Sequence, residues 1–287
     1  MRRCISVLAV ILAFTFLPDK LVAQSSDTFQ LENVFDLEYI SNPQIAPDGD
    51  RIVYQRNFMD IMADRRRSNL WIITPDGSRH RPLTSGNNNN FSPQWSPSGD
   101  RLLYASTQSR SSELYIRWMD TGETAKITNL TQSPGSLTWS PDGDYIAFTM
   151  FVPRQEKPMV SLPGKPDGAE WAEPANVIDD LQYRNDGSSG FVQEGYRHVF
   201  VIPAEGGTPR QITSGDYNHR SPEWMPNGEH LIITSNRKKD WEYKQSDTEL
   251  YKISVEDGSM TKLTDRRGPD NGAKVSPDGS KIAYLGH

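Results

Sequence analysis

A short sequence repeats five times along the chain and constrains its fold more than any other feature. Each copy has a turn of the type Pro-Asp-Gly between two apolar stretches, as in the segment from Leu137 to Phe148. Proline fixes the backbone at the second turn position, and glycine accepts the positive φ that closes the reversal. Each copy therefore predicts a β-hairpin. The turn prolines, separated by 50, 44, 85 and 51 residues, are Pro47, Pro97, Pro141, Pro226 and Pro277.

A second hairpin pattern follows four of these turns. Alternating apolar residues lead to a Gly-containing turn, and a short stretch ending in threonine comes next, as from Glu113 to Thr128. Two hairpins per period give four antiparallel strands, and three of the four spacings fall within the period of a propeller blade. We therefore predict an all-β fold, a β-propeller of four-stranded antiparallel blades with about four and a half blades present and the ring incomplete.

The N-terminus has the layout of a secretory signal peptide. Two arginines precede an apolar run, Ile5 to Leu17, and small residues at Val22 and Ala23 offer a cleavage site. A helical turn is expected from Leu31 to Tyr39. The predicted organisation is a signal peptide at 1–23, an N-terminal lead-in at 24–42, and propeller blades at 43–287 with an insertion at about 151–196.

Charge and cysteine content limit the partners and the compartment. The formal net charge is −6, so no global basic field attracts nucleic acid. The one cysteine, Cys4, lies inside the predicted signal peptide, and a thiol-free mature chain suits a bacterial periplasm or exterior. We predict an exported protein, periplasmic or extracellular, with no nucleic acid partner and no membrane association after signal cleavage.

Several polar and aromatic residues are explained by the fold alone. Trp95, Trp139 and Trp224 precede turns and are expected to pack between blades. Asp48 and Asp142 are expected to stabilise their turns, because no further oxygen ligands recur at a fixed spacing that would suit calcium. We predict no metal site and no cofactor.

No catalytic centre is recognisable in the sequence. There is no Gly-x-Ser-x-Gly elbow and no zinc spacing, so no catalytic residue is assigned in this chain. The five histidines are scattered and are expected at surface or turn positions. The basic clusters Arg65 to Arg67 and Arg237 to Lys239 are expected in solvated loops.

The insertion is the segment that the repeat does not explain, so it is the place to look for a binding role. Glu170 and Glu173 could present two carboxylates on one side of a helical turn and bind a cationic group. With Tyr183 and Arg184 they are the candidate substrate-binding residues. The alternative is that the glutamates are exposed acidic residues beside a buried Trp171.

The repeated hairpins, the segment from Gly206 to Thr213 and the insertion from Trp171 to Gly187 together resemble a known family. They are similar to the N-terminal propeller of prolyl oligopeptidase-family serine peptidases, with acylaminoacyl-peptidase and dipeptidyl-peptidase-like members nearest in character. The resemblance covers residues 29–287. It implies a propeller that caps an α/β-hydrolase domain and admits short peptides. In dipeptidyl peptidases two glutamates of a propeller insertion hold the substrate amino terminus; Glu170 and Glu173 lie in a comparable insertion but are not adjacent.

Two functions are compatible with the repeat and the resemblance, because the propeller of the Tol system has similar Pro-Asp-Gly hairpins. The first is the gating and substrate-selecting propeller of an exported serine peptidase that hydrolyses short peptides. The chain would then be truncated before its partner, the C-terminal α/β-hydrolase domain that carries the catalytic triad. The second is a non-catalytic periplasmic propeller that acts as a scaffold for protein–protein interaction, similar to the propeller of the Tol system.

Overall fold

The computed structural model describes residues 29–109, 111–154, 164, 166–169, 178, 181–187 and 189–286. The predicted signal peptide, Glu170 and Glu173 lie outside these residues. The chain divides into two units, Met1–Leu37 and Glu38–His287. In the first unit, a 3-10 helix spans Leu31–Asp36. Asn33 caps it, because its Oδ1 accepts a hydrogen bond of 2.8 Å from the backbone N–H of Gln30.

The described part of the second unit is built of antiparallel β-sheets, and within each sheet every strand pairs with the next along the chain. The first sheet contains β1 (Tyr39–Ile45), β2 (Ile52–Asp60), β3 (Arg65–Ile73) and β4 (Arg81–Pro82). The second contains β5 (Asn90–Trp95), β6 (Arg101–Ser106), β7 (Glu113–Trp118) and β8 (Thr124–Lys126). The third contains β9 (Pro134–Trp139), β10 (Tyr145–Pro153), β11 (Gly195–Pro203) and β12 (Arg210–Gln211). The fourth contains β13 (His219–Trp224), β14 (His230–Ser235), β15 (Glu249–Ser254) and β16 (Met260–Lys262), and the last contains β17 (Asn271–Val275) and β18 (Ile282–Leu285).

This topology confirms the predicted four-stranded antiparallel blades. Two details differ from the expectations. The first strand already begins at Tyr39, inside the predicted lead-in, so the helical turn expected to reach Tyr39 ends at Asp36. The basic run Arg65 to Arg67 lies in β3 and not in a loop, and Arg67 pairs with Asp60 across the hairpin at 3.2 Å.

The repeated turns close as the sequence predicts. In the third sheet, the N–H of Gly143 donates to the carbonyl of Ser140 at 3.0 Å, and Gly143 has a φ of +77°. Asp142 Oδ1 accepts the N–H of Asp144 at 3.0 Å. The aspartates of these turns therefore stabilise the local backbone, as expected.

The recurring threonine binds the third strand of each complete sheet through its hydroxyl. In the second sheet, Thr128 Oγ1 accepts the N–H of Leu114 at 2.9 Å and donates to Glu113 Oε2 at 2.6 Å. Glu113 is 1 % exposed and also accepts the N–H of Leu130 at 3.0 Å. The same backbone hydrogen bond recurs in the other three complete sheets, at Thr84, Thr213 and Thr264.

The first strand of each sheet contains a bulge with one residue in the left-handed region. Such a bulge bends the strand and interrupts its ladder with the second strand. In the third sheet the residue is Ser136, with a φ of +49°. The equivalent residues are Asn42, Ser92, Ser221 and Gly272.

Tryptophans join successive sheets, as predicted. Trp95 Nε1 donates to the carbonyl of Gln44 at 3.1 Å, and Trp139 Nε1 donates to that of Gln94 at 3.2 Å. Both side chains are less than 10 % exposed. Apolar residues from facing sheets fill the remaining space; Leu103 of the second sheet and Phe148 of the third belong to one buried cluster. The first strands of successive sheets contact one another, which is the radial arrangement of a propeller.

Candidate functional site

Antiparallel strands place the connections of each sheet at two opposite ends. At one end lie the turns between first and second strands and between third and fourth strands; we call it the turn face. At the other end lie the connections between second and third strands and those leading to the next sheet; we call it the insertion face, because the predicted insertion joins β10 to β11.

The insertion joins the paired strands β10 and β11 of the third sheet. The two strands remain paired to Pro153 and Gly195, and the N–H of Arg154 donates to the carbonyl of Glu194 at 3.0 Å. The ends of the predicted excursion at 151–196 are therefore strand residues. The second strand of the sheet ends at Pro153, and the third begins at Gly195.

Gly195 is the first residue of β11, where the chain re-enters the third sheet after the insertion. Its φ is +143°, and a Cβ at this position would lie 2.4 Å from the carbonyl oxygen of Val152. We expect Gly195→Ala to lower the free energy of unfolding by about 2 kcal/mol more than Gly207→Ala. Gly207 is the matched control, since its φ is +133° and a Cβ there would have no atom within 4 Å. Urea denaturation of both variants measures the difference, and equal losses would contradict a role for the close contact.

Of the predicted substrate-binding residues, Tyr183 and Arg184 are described. Both are exposed. The carbonyl of Tyr183 accepts the N–H of Val192 at 2.8 Å, and the guanidinium of Arg184 lies over the ring of Phe191, 5.2 Å from its centroid. The two residues therefore lie side by side on an exposed part of the insertion.

Two buried histidines meet on the insertion face where the third and fourth sheets join. His198 belongs to β11 and His219 begins β13. Their ring centroids are 5.3 Å apart, and His198 and His219 are 5 % and 0 % exposed. The expectation that the histidines occupy surface or turn positions is wrong for these two, because strands of adjacent sheets bring together residues that the sequence separates.

Burial keeps both imidazoles neutral. It lowers the pKa of His219 to about 3, with further lowering by His198 and by the guanidinium of Arg237. It also lowers the pKa of His198, again with a contribution from Arg237. Because both pKa values lie below the ordinary value of 6.5, the pair carries no charge at neutral pH.

Arg237 completes this histidine–arginine cluster. Its Nη1 lies 2.9 Å from Nε2 of His219, and its guanidinium lies 4.7 Å from the centroid of the Tyr217 ring. Arginine only donates hydrogen bonds, so Nε2 is the acceptor and the neutral imidazole carries its proton on Nδ1. Arg237 is only half-buried, so its remaining donors form a fixed cationic group for a carboxylate or carbonyl oxygen.

The connection between β14 and β15 is held by ion pairs. Lys238 Nζ lies 2.6 Å from Asp247 Oδ2 and 3.3 Å from Oε1 of the buried Glu249. Trp241 of the same connection packs edge-on against Tyr196 of β11, with centroids 6.3 Å apart. Arg237, Lys238 and Lys239 lie in a loop as expected, but the first two are half-buried and only Lys239 is exposed.

Comparing equivalent positions of the repeat would have drawn attention to His198. In the second and fourth sheets a buried glutamate, Glu113 or Glu249, accepts a hydrogen bond from the threonine; His198 Nδ1 lies 3.2 Å from Thr213 Oγ1 in the third. The position is polar and buried in every complete sheet, yet only the third has an imidazole there. No sequence pattern places Arg237 beside it.

The described residues contain no cluster of three or more His, Cys, Asp or Glu side chains suited to hold a metal ion. Within the same part of the chain, no helix has the length and apolar character needed to span a membrane.

Comparison with known proteins agrees with this architecture. Residues 167–285 match the family described as the dipeptidyl peptidase IV (DPP IV) N-terminal region. The chain is 29 % identical over 198 residues to the uncharacterized peptidase YuxL of Bacillus subtilis, covering 69 % of this chain and 29 % of that protein. It is 24 % identical over 264 residues to dipeptidyl-peptidase 5 of Porphyromonas gingivalis, covering 87 % and 37 %.

A solved structure and a second class of relative share the fold. The acylaminoacyl peptidase of Pyrococcus horikoshii matches with a TM-score of 0.61 and 16 % identity, covering 87 % of this chain and 35 % of that one. The Tol-Pal system protein TolB of Francisella tularensis subsp. mediasiatica is 23 % identical over 223 residues, covering 75 % and 50 %. The chain thus spans about a third of the length of the peptidases it matches. The predicted resemblance is confirmed: the chain folds as a β-propeller similar to those of these peptidases.

Proposed function

We propose that this propeller selects short peptides for an exported serine peptidase. The observation that carries the proposal is the position of the histidine–arginine cluster on the same face as the insertion, at the junction of the third and fourth sheets. Hydrolysis itself would be carried out by an α/β-hydrolase domain facing the insertion face. The peptidases among the relatives support this assignment.

The chemistry of the site suits a peptide end. The Arg237 guanidinium would donate to a carbonyl or terminal carboxylate of the peptide, and the neutral His219 holds its orientation. Tyr183 and Arg184 of the insertion would line the approach. Glu170 and Glu173 would bind the peptide amino terminus, as the resemblance to dipeptidyl peptidases implies.

Calorimetric titration with the tripeptide Gly-Gly-Phe tests the role of Arg237. We expect Arg237→Ala to weaken binding at least tenfold, because a hydrogen bond from a charged donor contributes about 1.5 to 3 kcal/mol. Arg79→Ala is the matched control, since Arg79 is exposed in the connection between β3 and β4 on the turn face. Equal affinity of wild type and Arg237→Ala would contradict the proposal.

The same titration tests the glutamates. Replacing both Glu170 and Glu173 by glutamine should weaken binding of the free peptide and leave that of its N-acetyl form unchanged. Glu123→Gln, a change at an exposed residue of the turn face, should affect neither. Equal weakening of both peptides by the double variant would show that the glutamates do not bind the amino terminus.

A protein-binding scaffold is the second candidate function. The similarity to the Tol-Pal system protein TolB, which covers 75 % of this chain, favours it. In that case wild-type chain would bind no short peptide and would retain a folded protein partner. Affinity capture from a periplasmic extract, with Arg237→Ala as a comparison, distinguishes the two functions.

Export is also part of the proposal and rests on the pattern of residues 1–23. Fractionation of cells that produce the full chain should place it in the periplasm or medium. Its measured N-terminus should lie near Gln24. Retention of Met1 in a cytoplasmic fraction would contradict export.

A further inference from the structure

An arginine links the first sheet to the second on the turn face. The guanidinium of Arg51 lies over Trp95, 4.8 Å from the ring centroid, and its Nη2 donates to the carbonyl of Gly99 at 2.9 Å. It also donates to Asp48 Oδ2, from Nη2 at 2.7 Å and from Nε at 3.2 Å. One guanidinium thus contacts a tryptophan ring, a turn carbonyl and a carboxylate.

The second sheet is joined to the third in the same way. Arg101, which like Arg51 lies two residues after the turn glycine, places its guanidinium 5.0 Å from the Trp139 centroid. Its Nη2 donates to the carbonyl of Gly143 at 3.0 Å. Carboxylates again lie near the guanidinium, with Glu205 Oε1 at 3.5 Å.

Between the third and fourth sheets the residue equivalent to Arg51 and Arg101 is Tyr145. The tryptophan, the turn glycine and the carboxylate that would contact a guanidinium are all present. Trp224 is 6 % exposed, Gly228 closes the next turn, and Asp142 occupies the position of Asp48. Asp142 Oδ2 lies 3.8 Å from the Cβ position of Gly228. Among the described residues, no hydrogen bond reaches this oxygen, whereas Oδ1 is bound within its own turn.

Two further observations distinguish this junction from the first two. The buried Nε1 of Trp224 has no hydrogen-bond partner in the described part of the chain, unlike the equivalent atoms of Trp95 and Trp139. A cavity of about 690 Å³ lies here and is lined by Tyr145, Trp224, Gly228, Glu229 and His230.

The charge of the cavity favours a cation. Glu229 and Glu256 line it, and Asp142 lies beside Gly228. Arg210 is the lining cation, but its guanidinium already donates to the carbonyls of Val255 and Glu256, at 2.6 and 3.2 Å. Two of its five N–H donors therefore bind the fourth sheet, and the three carboxylates outnumber this one guanidinium.

We propose that this junction binds a guanidinium group, the side chain of an arginine supplied either free or within a peptide. The bound group would lie over Trp224 and donate to the Gly228 carbonyl and to Asp142 Oδ2. It would thereby replace the internal arginine that the first two junctions possess. The site lies on the turn face, away from the histidine–arginine cluster, and does not depend on the function proposed for that cluster.

Titration of ¹⁵N-labelled full chain with N-acetyl-arginine amide tests this proposal. The indole N–H resonance of Trp224, assigned with Trp224→Phe, should shift and saturate. The lysine analogue should bind at least tenfold more weakly, because a compact ammonium cannot reproduce the planar donor set, and the uncharged citrulline analogue should not bind. Free arginine and an arginine tetrapeptide identify the source: stronger binding of the peptide indicates a peptide ligand, and equal or stronger binding of free arginine indicates the amino acid.

Variants supply the matched controls. Tyr145→Arg should place an internal guanidinium in the site and abolish the shift, whereas Arg51→Ala should create a second site that shifts Trp95 with the same ligand. If Tyr145→Arg does not fold, Asp142→Asn, which removes only the charge, should weaken binding at least tenfold. The absence of a saturable shift in wild type, or an undiminished shift in folded Tyr145→Arg, would overturn the proposal.

Discussion

The free energy of unfolding should fall by about 3 kcal/mol as the pH is lowered from 7 to 4, and His219 should cause most of this loss. Its pKa is about 3 in the folded chain, against an ordinary value of 6.5. The unfolded chain therefore binds a proton at a pH where the folded chain does not. Stability is fully present above pH 6.5 and declines as the pH falls toward the folded pKa.

Equilibrium urea denaturation at a series of pH values measures this effect. Aspartates with lowered pKa, such as Asp76 at about 2, affect stability only near and below their ordinary value of 3.8. The range from about pH 6.5 to 5 therefore reports chiefly on His219 and, to a smaller extent, on His198. His219→Gln should remove most of the slope; an unchanged slope in this variant would contradict the assignment.

Glu113→Ala should lower the free energy of unfolding by about 3 kcal/mol at neutral pH. The side chain is 1 % exposed, and its carboxylate accepts hydrogen bonds from the Thr128 hydroxyl and the Leu130 N–H. Its removal leaves a buried donor without a partner in the second sheet. Urea denaturation measures the loss.

Two further variants show whether the buried hydrogen bonds are responsible. Glu113→Gln keeps one acceptor oxygen and the side-chain volume, so we expect a smaller loss than for alanine. Glu123→Ala removes an exposed glutamate of the same sheet and should change stability by about 0.5 kcal/mol or less. If Glu113→Ala matched Glu123→Ala, the carboxylate would have no structural role.

The architecture was predictable because each local signal agrees with the fold. The Pro-Asp-Gly turns and the tryptophans before them occupy their predicted positions. Trp95 and Trp139 pack between sheets. Thr128 lies two residues beyond the fourth strand of its sheet, and its hydroxyl accepts a backbone N–H of the third strand. These residues make their contacts within one period or between neighbouring sheets. Their spacing can therefore be read from a single sequence.

The candidate site was much less predictable, because its parts are close only after the sheets assemble. His198 and His219 lie in different sheets, and Arg237 comes from a connection whose basic residues are typical of a solvated loop. Their close packing depends on the order of the sheets and on the lengths of the loops. The replacement of an arginine by Tyr145 was visible in the repeat, but only the contacts of Arg51 and Arg101 give that difference a chemical meaning.

The short fourth strands of the complete sheets have a consequence for solubility. β4 and β12 have two residues each, and β8 and β16 have three. Beside each of these strands, a threonine hydroxyl accepts a hydrogen bond from a backbone N–H of the third strand. Each complete sheet thus ends in a fourth strand too short to template pairing with another chain, which guards against intermolecular β-sheet aggregation at these edges.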